Sequence, residues 1–435
     1  MIAIIGAGIS GLTLAYQLQQ AGKPYILFES NSRPGGYINS QRFGKYLLEV
    51  GPNSILVDKK LEEFIHELNL DKLFEPAAII NKNRFIYKDA NIQQVPSGPL
   101  SFLTGRFFSA KTKYAIFKEL FNKSISKENE TVYDFFARRF SAPFTQYTID
   151  PFATGVYAGD IKQLLIEETF PQLVELEKQY GSIIKGIFKK GFGEKRKTGT
   201  FVHGLQTLTD TLAAQLHSLQ LNTRVLNLRK QMDKIVLTTD TKHGIEELTF
   251  DKVVVCGTTF QAATLIKDSY PDLSAILSQV QYASMKAVFA AFKRTDVTHP
   301  MNGFGCLYPS AEQSFLAGTI WNSSIFNDRC PADEVLTTSF IGGMHHPEYT
   351  ALSESELEQR AIQQLSKDLG ITGKPTFTHV AGWNKAIPQY DIYLKKARLA
   401  SKLLSDDHIY FRSNWTNGIS LGNCIQSARD LALIL

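Results

Sequence analysis

Apolar positions along this chain recur with two different periods, and the switches between them mark its elements. A β-branched run at residues 1–5 reads as a strand, and from 11 to 21 apolar side chains recur at helical spacing, with Leu12, Ala15, Tyr16 and Leu18 on one face. The strand pattern returns at 25–28 and 46–50. An amphipathic helix is predicted over 61–70, with Leu61, Phe64, Ile65 and Leu68 inward. Two short strands are expected around Ile79 and over 84–87, before Pro96 and Pro99 break the pattern. From 100 to about 198 the spacing is near-helical and aromatic, through Phe102, Leu103, Phe107, Phe108, Tyr114, Phe117, Leu120 and Phe121. Within that segment, 150–160 sets two glycines around an aromatic, which predicts a special loop. A helix is expected to open in the run 201–208 and extend to about 219, followed by strands at 224–228, 235–239 and 252–256. Longer strands at 287–292, 304–308, 315–321 and 336–342 predict an antiparallel sheet able to floor a cavity. A helix over 354–369 buries Leu357, Ala361, Leu365 and Leu369, and a glycine-bearing loop leads into a last helix over 423–435.

Chemistry enters at the first strand–helix junction. Gly6, Gly8 and Gly11 form G-x-G-x-x-G: the first permits a tight turn, the second lets backbone approach a pyrophosphate, and the third lets helix pack close to strand. The helix then turns its free N–H groups toward the phosphates. Glu29 ends the second strand, at the distance where an acid reaches a ribose hydroxyl. Arg33 follows with Gly35 and Gly36, offering a charge to the diphosphate and a backbone that can pass close to the ligand. Gly51 and Pro52 lack bulky flexible side chains and suit a close approach of backbone to a bound cofactor. The C-terminal glycine loop, feeding a helix N-terminus, is a second candidate cofactor contact.

Composition narrows the class. With 435 residues, 43% of them hydrophobic, two or three globular units are expected. The net charge of +5 decides little. No apolar run approaches the ~18 residues needed to span a bilayer. The opening strand has no positive region or cleavage site before it, so no signal peptide is expected. Cys256, Cys306, Cys330 and Cys424 are scattered without C-x-x-C and read as reduced packing thiols of an intracellular protein. The nine histidines lack ligand spacing, so no metal is expected; His345 and His346, as neighbours in a strand, would point to opposite faces and serve structure. Arg106, Lys111, Lys113, Lys118, Lys123 and Lys127 interleave with the aromatics of the helical segment, and 185–197 carries six cations and one acid. Lysines beside aromatics on amphipathic helices suit an anionic membrane surface; a helical cap with an aromatic core is the other reading. Nucleic acid is not expected, because no reader motif is present.

The run Pro-Phe-Ala-Thr-Gly-Val-Tyr-Ala-Gly-Asp at 151–160 resembles the oxygen-dependent protoporphyrinogen oxidase family, FAD enzymes of haem synthesis related to the flavin amine oxidases. The resemblance extends over 6–36, 49–54, 204–208, 302–309, 318–320, 337–343, 383–390 and 417–427. It implies an α/β fold in three parts. An FAD-binding Rossmann-like domain of the two-dinucleotide-binding-domain type would be formed by 1–78, 199–275 and 384–435. A substrate domain on an antiparallel sheet would come from 79–99 and 276–383, and an inserted helical, membrane-facing domain from 100–198. FAD is then expected on Gly6, Gly8, Ile9, Ser10, Gly11, Glu29, Ser30, Arg33, Gly35 and Gly36. The resemblance adds Gly51, Pro52, Asn53 and Ser54, together with Val225, Trp383, Gly418 and Ile419. It places a tetrapyrrole on Arg84, Gly155, Leu307, Ile320 and Phe340. Arg84 would hold a propionate, which suits a guanidinium fork, and the apolar three would sandwich the rings. The alternatives are a hairpin surface cation and plain core.

Three departures stand out. Ser413-Asn414 replaces the usual glycine-asparagine, Asp391-Ile392 replaces Gly-His, and Thr154 stands where some relatives have an arginine. The implied reaction passes a hydride from a porphyrinogen meso carbon to flavin N5, with pyrrole protons released, in three rounds that each consume O2 and yield peroxide. No residue is singled out as a general base. The expected partners are the tetrapyrrole, O2, a peripheral membrane surface and a second copy of the chain, with a cytoplasmic location on the inner face of that membrane. Coproporphyrinogen oxidation is the competing activity and would want more cations at the cavity, for which the 185–197 stretch is available. A flavin amine oxidase, a carotenoid desaturase and a non-catalytic GDI-like escort protein complete the alternatives; the intact glycine triplet with its acid argues against the last.

Overall fold

The computed structural model describes residues 1–191 and 195–435. The β-branched runs assemble a five-stranded parallel sheet in the order Leu219–Gln220, Tyr25–Phe28, Ile2–Ile5, Lys252–Val255, Ile409–Phe411. Its central strands are apolar without alternation because both faces are covered. On one face Ile4, Leu27 and Val254 share a core with the helices Ile9–Gln20 and Leu421–Ile434. On the other, Ala3, Phe28, Val253 and Val255 are continuous with Phe135, Tyr157 and Leu164 of the helical segment and with Tyr390 and Trp415. The helical segment is therefore packed into the nucleotide-type core.

The second sheet has seven strands in the order Phe377–Pro388, Tyr282–Lys293, Glu334–Gly342, Gly318–Ile320, Gly305–Leu307, Phe85–Lys88, Asn91–Gln94. It is antiparallel except between Gly305–Leu307 and Phe85–Lys88, so the expected antiparallel sheet is mixed at one pairing. The helix Glu354–Leu369 begins with a capping box, Ser353 and Glu356 exchanging bonds, and ends at Gly370 with φ +61. Its buried Leu357, Ala361, Leu365 and Leu369 seal one face of the sheet against Val288, Ala290 and Phe292. The opposite face, with Ala287, Phe289 and Ala291, turns toward Leu48 of the hairpin Ser40–Phe43/Tyr46–Glu49.

Several expectations are corrected. Residues 79–82 form a 3-10 turn rather than a strand. The helix expected to reach 219 is Gln206–Ala214, because Ser218 and Gln220 carbonyls accept bonds from Leu27 and Glu29 at the sheet edge. The strands Gly244–Phe250 and Phe377–Pro388 were not legible, and the latter crosses the expected domain boundary at 383/384. Residues Asp150–Tyr157 are helix, not a special loop. Pro151 comes just after the π-type turn Thr145–Ile149, with the helical backbone continuous through Ile149, and Gly155 answers a close contact rather than an unusual φ.

The helical segment divides its aromatics. Phe107 is core, whereas Leu103, Tyr114, Phe117 and Phe121 are exposed by 66%, 60%, 58% and 69%. Beneath them Arg139, with a fully buried side chain, bonds Glu119 and Glu177 at 2.6 and 2.7 Å, and Arg138 bonds Glu130 and Glu177. Of the basic stretch 185–197, residues 192–194 lie outside the described residues. No helix among the described residues is long and apolar enough to cross a membrane.

Candidate active site

The three glycines of the first turn have three distinct physical reasons. Gly6 takes φ +102, in the left-handed region. A Cβ on Gly11 would lie 2.0 Å from the Gly6 carbonyl oxygen, so helix and strand can approach only without one. A Cβ on Gly8 would meet no protein atom within 4 Å, so this position faces open space. Helix Ile9–Gln20 starts at Gly8 with no side-chain cap, and its first bond runs from Leu12 N to Gly8 O. The first-turn amides of the buried Ile9 and Ser10 are thus left for a ligand.

The neighbouring loop closes over this turn. Gly35 N donates to Ala7 O at 2.8 Å, and a Cβ on Gly36 would lie 3.2 Å from Gly8 Cα. Glu29 is 7% exposed; its Oε2 accepts Ala7 N at 2.8 Å and its Oε1 accepts Asn31 N and Nδ2. Ser30 is exposed beside it, and Thr223 N donates to Glu29 O, which draws the strand carrying Val225 to the acid. The Arg33 guanidinium donates to the carbonyls of Pro34, Gly36 and Ile38 at 3.0 Å, so it shapes the loop it was expected to arm.

A second backbone approach lies at the end of Tyr46–Glu49. A Cβ on Gly51 would fall 2.0 Å from Tyr37 O. Glu49 is buried, accepting Ser40 Oγ at 2.6 Å and Leu205 N at 2.8 Å; burial outweighs these bonds and the nearby Arg329 and pushes its pKa up to about 7. Beyond Gly51, with Pro52 and Ser54 half-buried, runs a relay that sequence reasoning missed. Thr338 Oγ1 donates to Asn322 Oδ1 at 2.8 Å, Asn322 Nδ2 to Asn53 Oδ1 at 3.0 Å, and Asn53 Nδ2 to Gly51 O at 3.2 Å. A lone asparagine opening the short helix Asn322–Ile325 carries no sequence signal; only the fold joins it to Asn53. The C-terminal loop supplies Gly418, at φ +122, and the half-buried Ile419, ahead of helix Leu421–Ile434 capped by Ser420. Both glycine-fed helices begin beyond the C-terminal ends of parallel strands, where open α/β sheets bind ligands.

The apolar wall follows from register. Leu307 pairs with Gly318, Gly318 with Phe340 and Phe340 with Ala287, while Ile320 pairs with Thr338. Strand alternation therefore puts Leu307, Ile320 and Phe340 on one face, opposite helix Glu354–Leu369. All three are half-buried, whereas Val288 and Ala290 on the sealed face are fully buried. Trp383 packs in the same cluster as Phe340. Helix Asp150–Tyr157 brings Gly155 against the wall: a Cβ there would lie 2.9 Å from Leu307 Cδ2. Arg84, exposed at the start of Phe85–Lys88, lies 4.4 Å over the Phe304 ring and donates from Nη1 to Asn81 O.

These features fit FAD. An uncapped helix start, an open Gly8 and a buried acid suit a diphosphate and a ribose, whereas Gly51 and Gly418 answer close contacts within the chain, with Tyr37 O and the Asn423 side chain. The model of the flavin containing amine oxidoreductase family matches residues 9–432. The chain is 30% identical to a mitochondrial protoporphyrinogen oxidase of Nicotiana tabacum, covering 99% of this chain and 94% of that one. It is 25% identical to a coproporphyrinogen III oxidase of Bacillus subtilis (strain 168), covering 98% and 96%. A crystal structure of a protein from Exiguobacterium sp. 255-15 superposes with a TM-score of 0.82 at 22% identity, over 100% of this chain and 98% of the other, which shows the shared fold.

Proposed function

The chain belongs to the flavin containing amine oxidoreductase family and uses FAD, and on that footing we propose that it oxidises protoporphyrinogen IX to protoporphyrin IX with O2 as acceptor. The observation that carries this reading is the half-buried apolar row of Leu307, Ile320 and Phe340, turned away from the sealing helix, with Arg84 near its edge. Such a wall suits a flat macrocycle, and one guanidinium suits a propionate. FAD, when bound, supplies the two-electron acceptor. The chain's own contribution is positional. Gly155 and Leu307 set the slot's width, Phe340 and Ile320 exclude water, and Arg84 fixes the substrate's orientation.

Coproporphyrinogen is the second candidate. The helix carrying Lys185, Lys189 and Lys190 packs on Pro171–Tyr180 and the turn Glu119–Phe121, within the helical segment. Those lysines do not line the apolar row, which favours the substrate with fewer carboxylates. We propose instead that they serve a membrane: Lys118 lies over Tyr114 and Lys185 over Phe121, on the exposed aromatic patch.

The test gives purified enzyme each porphyrinogen separately and follows porphyrin fluorescence. The protoporphyrin precursor should turn over faster, and Arg84→Ala should raise KM about 10-fold with flavin content unchanged. Faster turnover of coproporphyrinogen would overturn the choice of substrate.

A further inference from the structure

The open face of the seven-stranded sheet is uneven, and the unevenness follows from register. Leu307 stands opposite Gly318, and Gly318 opposite Phe340. Two residues along the same strands, Gly305 stands opposite Ile320 and Ile320 opposite Thr338. Ile86 flanks Leu307, and continuing that parallel pairing brings Arg84 beside Gly305. Residues two apart in a strand share a face, and the intervening Phe85, Tyr87 and Cys306 belong to the sealed core. Phe340, Ile320, Leu307 and Arg84 therefore zigzag between two rows on successive strands, and each row has a glycine between its large side chains.

The two glycines differ. A Cβ on Gly305 would lie 2.0 Å from Thr319 O, so backbone closes that position. Gly318 has no left-handed φ, and a Cβ there would meet only Leu307 Cδ2 at 3.2 Å and Cys306 O at 3.7 Å. Gly318 thus floors a hollow rimmed by the half-buried Leu307, Ile320 and Phe340. Thr338, opposite Ile320, already spends its hydroxyl proton on Asn322. The strand Gly318–Ile320 is paired on both sides, which commits its backbone groups to the ladders.

Helix Asp150–Tyr157 holds the rim in place. Leu307 Cδ2 would lie 2.9 Å from a Cβ on Gly155, so the leucine is lodged between Gly155 and Gly318. The helix is pinned at both ends, with Asp150 Oδ2 accepting Ser310 N and Ala158 O accepting Met344 N, each at 2.8 Å. Asp150 Oδ1 also lies 3.3 Å from Nε2 of His345, which was expected in a strand and sits in the turn after Glu334–Gly342.

From Arg84 the hollow is two strands and two residues away, about 12 Å at ordinary sheet spacings. That is the order of the distance across a tetrapyrrole from a propionate to the opposite edge. Protoporphyrinogen carries vinyl groups on that edge, and coproporphyrinogen carries further propionates. We propose that Gly318 determines specificity: with a propionate on Arg84, the hollow seats a vinyl group and turns away a carboxylate. A carboxylate there would lose its water and find no donor among three apolar side chains. The inference rests on the porphyrinogen reading and names what selects within it.

Steady-state kinetics of the holoenzyme with protoporphyrinogen IX, coproporphyrinogen III and deuteroporphyrinogen IX, which has hydrogen in place of each vinyl, test this. For the wild type, deuteroporphyrinogen should show a KM about 10-fold above that of protoporphyrinogen, because the hollow stays empty. Gly318→Ala should raise KM for protoporphyrinogen about 10-fold and leave that for deuteroporphyrinogen within about 2-fold, with flavin content and melting temperature unchanged. Equal effects on these two substrates, or none on protoporphyrinogen, overturn the proposal. If Gly318→Ala fails to hold FAD, the wild type decides, and equal KM values for the two substrates mean that the vinyl has no seat. Wild-type enzyme that prefers coproporphyrinogen, or oxidises no porphyrinogen, sinks the substrate reading instead.

Discussion

The two large sheets use burial in opposite ways. The parallel sheet is covered on both faces, with Ile4, Val253, Val254 and Val255 fully buried, and what it leaves open at its first turn is backbone at Gly8. The seven-stranded sheet is sealed on one face by Glu354–Leu369 and keeps the other half-open, where Leu307, Ile320 and Phe340 stand. A cofactor shared across a family can be held by amides that every sequence supplies. A substrate that differs between relatives has to be held by side chains, which can change without altering the fold.

The sharpest way to break that contrast is at the first turn. A valine at position 11 would drive its Cβ into the Gly6 carbonyl, backbone that cannot yield without parting helix from strand. Gly11→Val should therefore cost about 3 kcal/mol or more and abolish flavin binding, measured by thermal unfolding and bound-flavin absorbance. Gly8→Ala meets no protein atom and should melt like wild type while binding FAD at least about 10-fold more weakly. An alanine at position 8 that left FAD affinity intact would remove the phosphate from that turn.

The same contrast explains what the sequence made legible. The glycine turn, Glu29 and the helix Glu354–Leu369 are local patterns, so their elements stand close to where periodicity puts them. The wall is different. That Leu307, Ile320 and Phe340 share a face depends on register across strands far apart in sequence, and it came from resemblance, not from spacing. Glycines at 155 and 159 looked like loop because spacing cannot distinguish a glycine chosen for φ from one chosen for contact. Asn322 and the Asp150–His345 pair were invisible for a further reason: each is a single polar residue whose partner lies elsewhere in the chain.

Glu49 probes the seam beneath the nucleotide side. Its folded pKa, about 7, lies above the ordinary carboxylate value, so its contribution to stability is complete below about pH 4.5 and is lost as pH rises through 7. The stability difference between wild type and Glu49→Gln should fall by on the order of 2–3 kcal/mol from pH 5 to pH 8. A pH-independent difference in denaturant unfolding would mean that the carboxyl titrates normally. Asn322 joins the two regions. Asn322→Ala strands Thr338 Oγ1 and Asn53 Oδ1 in buried positions, at a cost of about 2 kcal/mol. Flavin reduction should slow while FAD content holds, and a double-mutant cycle with Thr338→Val should be non-additive. Additive effects would leave the regions uncoupled at this relay.

The smallest expected effect tests the width of the slot. A Cβ at position 155 would come 2.9 Å from Leu307 Cδ2, which is the tip of a flexible side chain and can turn away at modest cost. Gly155→Ala should therefore leave FAD binding and melting close to wild type, within about 1 kcal/mol. Its effect belongs in substrate binding, because the displaced leucine methyl moves into the space a macrocycle would fill. KM should rise a few-fold, about what 1 kcal/mol allows, with little change in kcat. Leu307→Ala alone widens the slot and loses apolar contact, so it should also raise KM. The double variant Gly155→Ala/Leu307→Ala should bind substrate better than the two single effects predict, since the added methyl then fills room that the truncation opens. If the two effects simply add, Gly155 and Leu307 do not define one slot, and the wall is a surface with no fixed width.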